Sequence, residues 1–206
     1  MSNLNERNIN VTGLTLEDFS LPVRQFAFYA VPPSGNMNQM ARRDALNRFG
    51  PRADKLLHWR LISIHTAPGS GWLPVERSVV YEVLKDNVNI SYEPLTVTLS
   101  PRDYGMSYSA KFSVVFNIQP GWAEIKVRDV IDFLQDYRHV ISDDQGFGCY
   151  TWARAVVLAF AERGWIAANV PGEIEQAYAN AQSNQSYWVP QEGTVRILRP
   201  RRRFGY

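Results

Sequence analysis

The run DDQGFGCYTWARAVVLAF, residues 143–160, carries the only cysteine of the chain, Cys149, behind Gly146 and Gly148. It sits where an apolar helical stripe begins. A helix N-terminus favours thiolate over thiol, which is the state an acyl-transfer nucleophile needs. The first-turn N–H groups lack intrahelical partners and can hold an oxyanion. Gln145 adds a side-chain donor, and the two glycines let a carbonyl approach. Against this, Cys149, Trp152, Ala153, Val156, Val157 and Phe160 follow i, i+3, i+4, i+7 spacing. That spacing makes Cys149 a member of the apolar face, and a buried, unassisted thiol is inert.

A nucleophilic thiol needs a base, and there are three histidines. His58 opens HWRLISI, where a strand end can point a ring into a cleft. His65 closes the same strand at its far end, so the two cannot serve one site. His139, in YRHVIS, follows a helix and suits its C-terminus. Each of the three taken alone suits a structural or surface role, and position by itself does not single out the base. If residues 58–65 and 78–86 pair around APGSGW, the end of the second strand lies beside His58. Asp86 is then the nearest carboxylate and Glu82 the second choice. Either would orient the imidazole and support its charged form. Trp59, Tyr81, Glu82 and Trp152 are the candidate substrate-binding residues around this pair.

The elements that must position these groups read as strands first and helices later. RQFAFYAV (24–31), KLLHWRLISIHT (55–66), RSVVYEVLKD (77–86), PLTVTLS (94–100) and KFSVVFNI (111–118) are β-rich runs bounded by turn residues. NMNQMARRDALNRFG is a short helix stopped by Gly50 and Pro51. IKVRDVIDFLQDYR (125–138), CYTWARAVVLAFAERG (149–164) and PGEIEQAYANAQ (171–182) are helices, and HVISDDQGFG is a loop. The expected fold class is α+β, an antiparallel sheet with helices packed on it. The expected organisation is a flexible arm (1–22), one α+β domain (23–198) and a basic tail (199–206).

Composition narrows the function classes. The 22 basic and 20 acidic residues leave a net charge of +2, and Arg196, Arg199, Arg201, Arg202 and Arg203 all lie at the end. Without them the body is slightly acidic, a poor match for nucleic acid. No apolar run reaches the ~20 residues of a membrane span, and the N-terminus lacks a signal-peptide core. A lone cysteine makes no internal disulfide, so a cytoplasmic setting is expected. Asp143 and Asp144 have no cluster at ligand spacing, so no metal is expected. GFG is too short for a dinucleotide fingerprint, and no cofactor is expected. Aromatic residues in the loops (Trp72, Tyr104, Tyr108, Trp122, Tyr187, Trp188) suit a cleft for an apolar or aromatic ligand.

His at the head of a strand, then antiparallel strands, a helix, and Cys at the head of a buried helix is an order with a known likeness. It resembles the permuted papain-like fold of NlpC-like peptidases and lecithin:retinol acyltransferase-like enzymes. HWRLISI and GCYTWARAVV occupy the two positions. The resemblance implies Cys149 as nucleophile, His58 as base and a polar residue on the neighbouring strand as its orienter. The diagnostic Asn-Cys pair of the acyltransferases is here Gly148-Cys149. The pair HWRL and GxGCYxW also looks like a family of fungal proteins with no assigned activity, which suggests specialised metabolism.

Two functions are expected from this reading. One is a cysteine-dependent acyl-transfer enzyme that hydrolyses, forms or cyclises an amide, ester or thioester of a small molecule or short peptide. The other is a protein that binds a small apolar molecule, or cyclises it by acid–base catalysis, without thiol chemistry. His58, Glu82 and Tyr81 are its candidate groups. A basic-tail partner module is a third reading, and the oligomeric state is open.

Overall fold

Strand periodicity decides which side chains meet the helices. The computed structural model describes residues 9–11, 13–32, 46–47, 50–67, 75–84, 96–122, 124–136, 138–141, 149–189 and 195–198. Its main sheet has six strands in the order β1–β5–β4–β3–β2–β6. These are β1 (Ile9–Val11), β2 (Gln25–Val31), β3 (His58–Ala67), β4 (Val75–Leu84), β5 (Thr96–Arg102) and β6 (Lys111–Asn117). All neighbours are antiparallel except β1 and β5. The registers Val31↔His58 and Leu61↔Tyr81 fix β3 between β2 and β4.

Alternate residues of a strand face opposite sides. Phe26, Phe28, Trp59, Leu61, Val79, Tyr81, Leu99 and Phe116 join one core with the helices. Ala27, Tyr29, Val31, Ile62, Ile64 and Val80 form a second cluster on the other face. Three helices cover the first face: α2 (Val127–Asp136), α3 (Cys149–Glu162) and α4 (Val170–Ser183). α3 is the most apolar, as its sequence stripe requires. Phe160, fully buried at its centre of contact, lies 5.0 Å from Phe26, 5.2 Å from Phe133 and 5.1 Å from Trp165, ring centre to ring centre. α3 ends at Gly164, whose φ of +77° lets the Trp165 N–H donate back to the Phe160 carbonyl at 2.9 Å.

The α+β class and the expected strands and long helices are present. Three regions differ from the sequence reading. Residues 9–20 are not simply an arm: they supply β1 and the short helix α1 (Leu16–Ser20). A capping box starts α1, with the Asp18 N–H donating to Thr15 Oγ1 and the Thr15 N–H to Asp18 Oδ2. Residues 138–141, read as the end of a helix (138) and the start of a loop (139–141), form β7, which pairs antiparallel with β8 (Val195–Leu198). Residues 50–55, read partly as strand, form a 3-10 turn before β3. Most of the helix expected over 36–50, and the tail 199–206, lie outside the described residues.

The Phe160→Ala variant should lose about 3–5 kcal/mol of stability in urea unfolding, because three rings lose their common partner. Leu16→Ala, at a site 76% exposed, should stay within about 0.5 kcal/mol of wild type.

Candidate functional site

β3 begins with His58 and Arg60 on the face away from the helices, since Trp59 and Leu61 face them. The partner of His58 across β2 is Val31, a member of the opposite-face cluster. On β4, Tyr81 points to the helices and Glu82 therefore points to the His58 side. The side chains meet there. Glu82 Oε1 lies 3.5 Å from His58 Nε2, and the same oxygen pairs with Arg60 Nε. Exposure of the three side chains is graded: His58 29%, Arg60 25% and Glu82 14%. The carboxylate is thus the inner member, and the His58 and Arg60 side chains are the more exposed. Arg60 also hydrogen-bonds the Tyr29 hydroxyl.

Burial by itself would raise the Glu82 pKa. The hydrogen bond from His58, the charge of Arg60, the charge of His58 when protonated and the Arg60 hydrogen bond outweigh it. Together they hold the carboxyl down at about 2. Burial pushes the Tyr29 phenol up, and Arg60 partly offsets that. The result is an ionised carboxylate, a guanidinium and an imidazole held at fixed positions. The second ring nitrogen of His58, Nδ1, has no partner among the described residues.

The edge strand adds a backbone feature opposite Tyr29. Between Phe28↔Val114 and Ala30↔Lys111 the β2–β6 register slips by one residue. Phe112, inside that bulge, has φ +50°, a region bulky residues avoid. Such strain costs about 1–3 kcal/mol and gathers near functional sites. Packing holds it in place: the Phe112 ring meets Tyr187 edge-on at 5.8 Å.

Cys149 is elsewhere. It is the first residue of α3, 5% exposed, and belongs to the helix-side core with Trp59 and Tyr150. His58 faces the other side of the sheet, so the expected thiol–imidazole pair is not assembled. The reason is visible in the periodicity: the residue of β3 that turns to the helices is Trp59. Its ring stacks on Phe28 at 4.8 Å and leans on Tyr150 at 5.6 Å. Trp59, Tyr81 and Trp152 are all buried in that core and do not line the His58 cluster. Glu82, the second-choice orienter, is the one in contact with His58. Asp86 and Gln145 lie outside the described residues. Arg60 and Tyr29 were not singled out from the sequence. HWR carries the signal, because residues two apart on a strand share a face.

Among the described residues, no three of His, Cys, Asp and Glu converge as a metal site. Nor is any described helix long and apolar enough to cross a membrane. A family model covers residues 44–202, that of DUF7770, a domain of unknown function. The chain belongs to this family. No curated protein and no solved structure matches the chain. The DUF7770 match takes in β3, β4 and α3, and so contains the His58 cluster and Cys149 alike.

Glu82 gives a pH signature. Its folded pKa lies below the ordinary 4.5, so between about 4.5 and 2 the unfolded chain binds the extra proton. The stability it contributes is complete above 4.5 and lost as pH falls towards 2. Urea unfolding at stepped pH should show this slope in wild type and a shallower one in Glu82→Gln. At neutral pH that variant should lose on the order of 1–3 kcal/mol, between an exposed and a buried pair.

Proposed function

We propose that this DUF7770 protein binds a small molecule at the His58–Arg60–Glu82 cluster and acts on it by general acid–base chemistry, without a thiol nucleophile. One observation carries the reading: a single inner carboxylate contacts both His58 and Arg60 on the sheet face opposite Cys149. A carboxylate on one imidazole nitrogen fixes the tautomer and supports the imidazolium. The other nitrogen is left to take a proton from the substrate and return it. The partly exposed side chain of Arg60 suits a carbonyl or carboxylate oxygen on which negative charge develops. Cyclisation of an apolar metabolite, or proton removal beside its carbonyl, is the reaction class these groups fit. We place this activity in the cytosol, as the composition suggests.

The thiol reading retains one support, the order of His58 and Cys149 shared with the permuted papain-like enzymes. That reading needs the imidazole within about 3.2 Å of the nucleophile, directly or through one water. The placement of His58 on the sheet face opposite Cys149 favours the acid–base reading.

Iodoacetamide titration from pH 5 to 9 separates the two. On the acid–base reading, Cys149 of the folded protein reacts slowly, and His58→Ala leaves the rate unchanged. Rapid alkylation with a midpoint well below the free-thiol ~8.5, lost in His58→Ala, would reinstate the thiol pair. A metabolite library screened by ligand-observed NMR tests the site itself. Hits should shift the His58 ring resonances and weaken at least ~10-fold in His58→Ala. With a turnover substrate found, that variant should lose ~100-fold or more in kcat.

A further inference from the structure

The other end of β3 buries a second histidine that the proposed chemistry does not use. His65 and Ser63 are both fully buried on the helix-facing side of the sheet. The ring is spanned by polar contacts at both nitrogens. Nδ1 lies 3.2 Å from the Pro22 carbonyl, and Nε2 lies 3.0 Å from Ser63 Oγ. Ser63 Oγ in turn lies 2.9 Å from the hydroxyl of Tyr81, itself buried on β4. A carbonyl can only accept, so Nδ1 carries the hydrogen. In a neutral ring Nε2 must then accept from Ser63, which leaves Ser63 to accept from Tyr81. The chain Tyr81→Ser63→His65→Pro22 uses every hydrogen it has, in one direction.

Protonation of His65 breaks that order. Nε2 would become a donor to Ser63, and the Ser63 hydrogen would lose its acceptor: it either stays unpaired or turns to Tyr81 and displaces the Tyr81 hydrogen. A charge would also enter a site where His65 and Ser63 are buried. Other groups act on the ring. Asp18 of α1, nearly buried, favours the charged ring, and Arg77 of β4 opposes it while pairing with Asp18 at 3.5 Å. Burial is the largest influence and holds the His65 pKa below its ordinary 6.5, with the Pro22 bond, Asp18 and Arg77 following. Lys126, which bridges Pro22 from the start of α2, is exposed to water.

The relief open to the fold is to let water in along the segment that closes one side of the site. Residues 13–24 run over it with a five-residue helix, an exposed Leu16 and an exposed Pro22. The end of this segment is held by the buried Leu21 and Val23, by Arg24 on Thr66, and by three backbone bonds: Val23 N–H to the Ile125 carbonyl, Arg24 N–H to the Ile64 carbonyl, and Val127 N–H to the Leu21 carbonyl. We propose that His65 is an acid-sensitive latch: its neutral ring seats the 13–24 segment on the β3–β4 core, and its protonation loosens that segment. The sign follows from linkage. Between the folded pKa and 6.5 the unfolded or opened state binds more protons, so protection is full above 6.5 and falls as pH drops below it.

Amide hydrogen exchange of the full chain tests this, corrected for the intrinsic pH dependence of exchange. Protection of the Val23 and Arg24 amides should fall at least ~10-fold between pH 7.5 and 5, while Phe160 in α3 holds steady. In His65→Gln, whose amide can donate to Pro22 and accept from Ser63 without titrating, the fall should vanish. Unchanged protection in wild type, or an equal fall in the variant, overturns the latch. Where His65→Gln does not fold, the wild-type His65 ring titration by NMR decides alone. The fall in Val23 and Arg24 protection must begin near 6.5 and level off at the ring's own midpoint, and a fall that starts or ends elsewhere overturns the proposal.

Discussion

Everything in this molecule follows from the two-residue period of β3. Ten residues of one strand divide into two sets with different solvents. Trp59, Leu61, Ser63 and His65 meet the helices, while His58, Arg60, Ile62 and Ile64 meet the other face. The strand lies between β2 and β4, so its hydrogen-bond register is fixed on both edges. A slip of one residue would put Arg60 under α3 and Trp59 in the polar cluster. The large aromatic surface buried by Trp59 against Phe28 and Tyr150 makes that slip costly. The same contact that stabilises the core therefore dictates where His58 can do chemistry.

Each face of the strand handles its polar groups in its own way. On the helix side, Ser63, His65 and Tyr81 are cut off from water and must satisfy one another, which makes them directional and neutral. On the other side, His58, Arg60 and Glu82 keep partial contact with water and remain charge-based. Charges that are partly hydrated can change protonation state without unfolding what surrounds them. Fully buried hydroxyls and a neutral ring cannot. Catalytic proton transfer belongs with the first kind, and conformational response to acid belongs with the second.

Much of this was legible in the residues, and the gaps have physical causes. β2, β3, β4, β6 and the helices α2–α4 announce themselves by apolar runs, period and stop residues, because local pattern and burial agree there. β7 and β8 do not. Arg138–Ile141 and Val195–Leu198 are four residues each, far apart in the chain, and gain their structure only from one another. α1, at five residues, is too short to show an apolar stripe, although Thr15-Leu-Glu-Asp18 spells a capping box with Asp in the usual Glu position. The site failed at the level of faces. His58 and Cys149 each occupy a suggestive local position, and neither position says which side of the sheet the other lies on. Period two did carry that information: the helix layer must take the more apolar set, Trp59 and Leu61, which sends His58 away from it.

The strained edge strand bears on why the cluster lies at this end of the sheet. A regular β6 would set its residues opposite Tyr29 in simple alternation. The bulge places two residues of β6 against one of β2 and increases local twist, which turns the β2 side chains there relative to β3. Tyr29 and Arg60 are directly paired across β2 and β3, so a change in the angle of Tyr29 is passed to the guanidinium it touches. Arg60 in turn shares Glu82 with His58. A backbone held at positive φ by the Phe112–Tyr187 contact is thus joined, through three side chains, to the orientation of the imidazole.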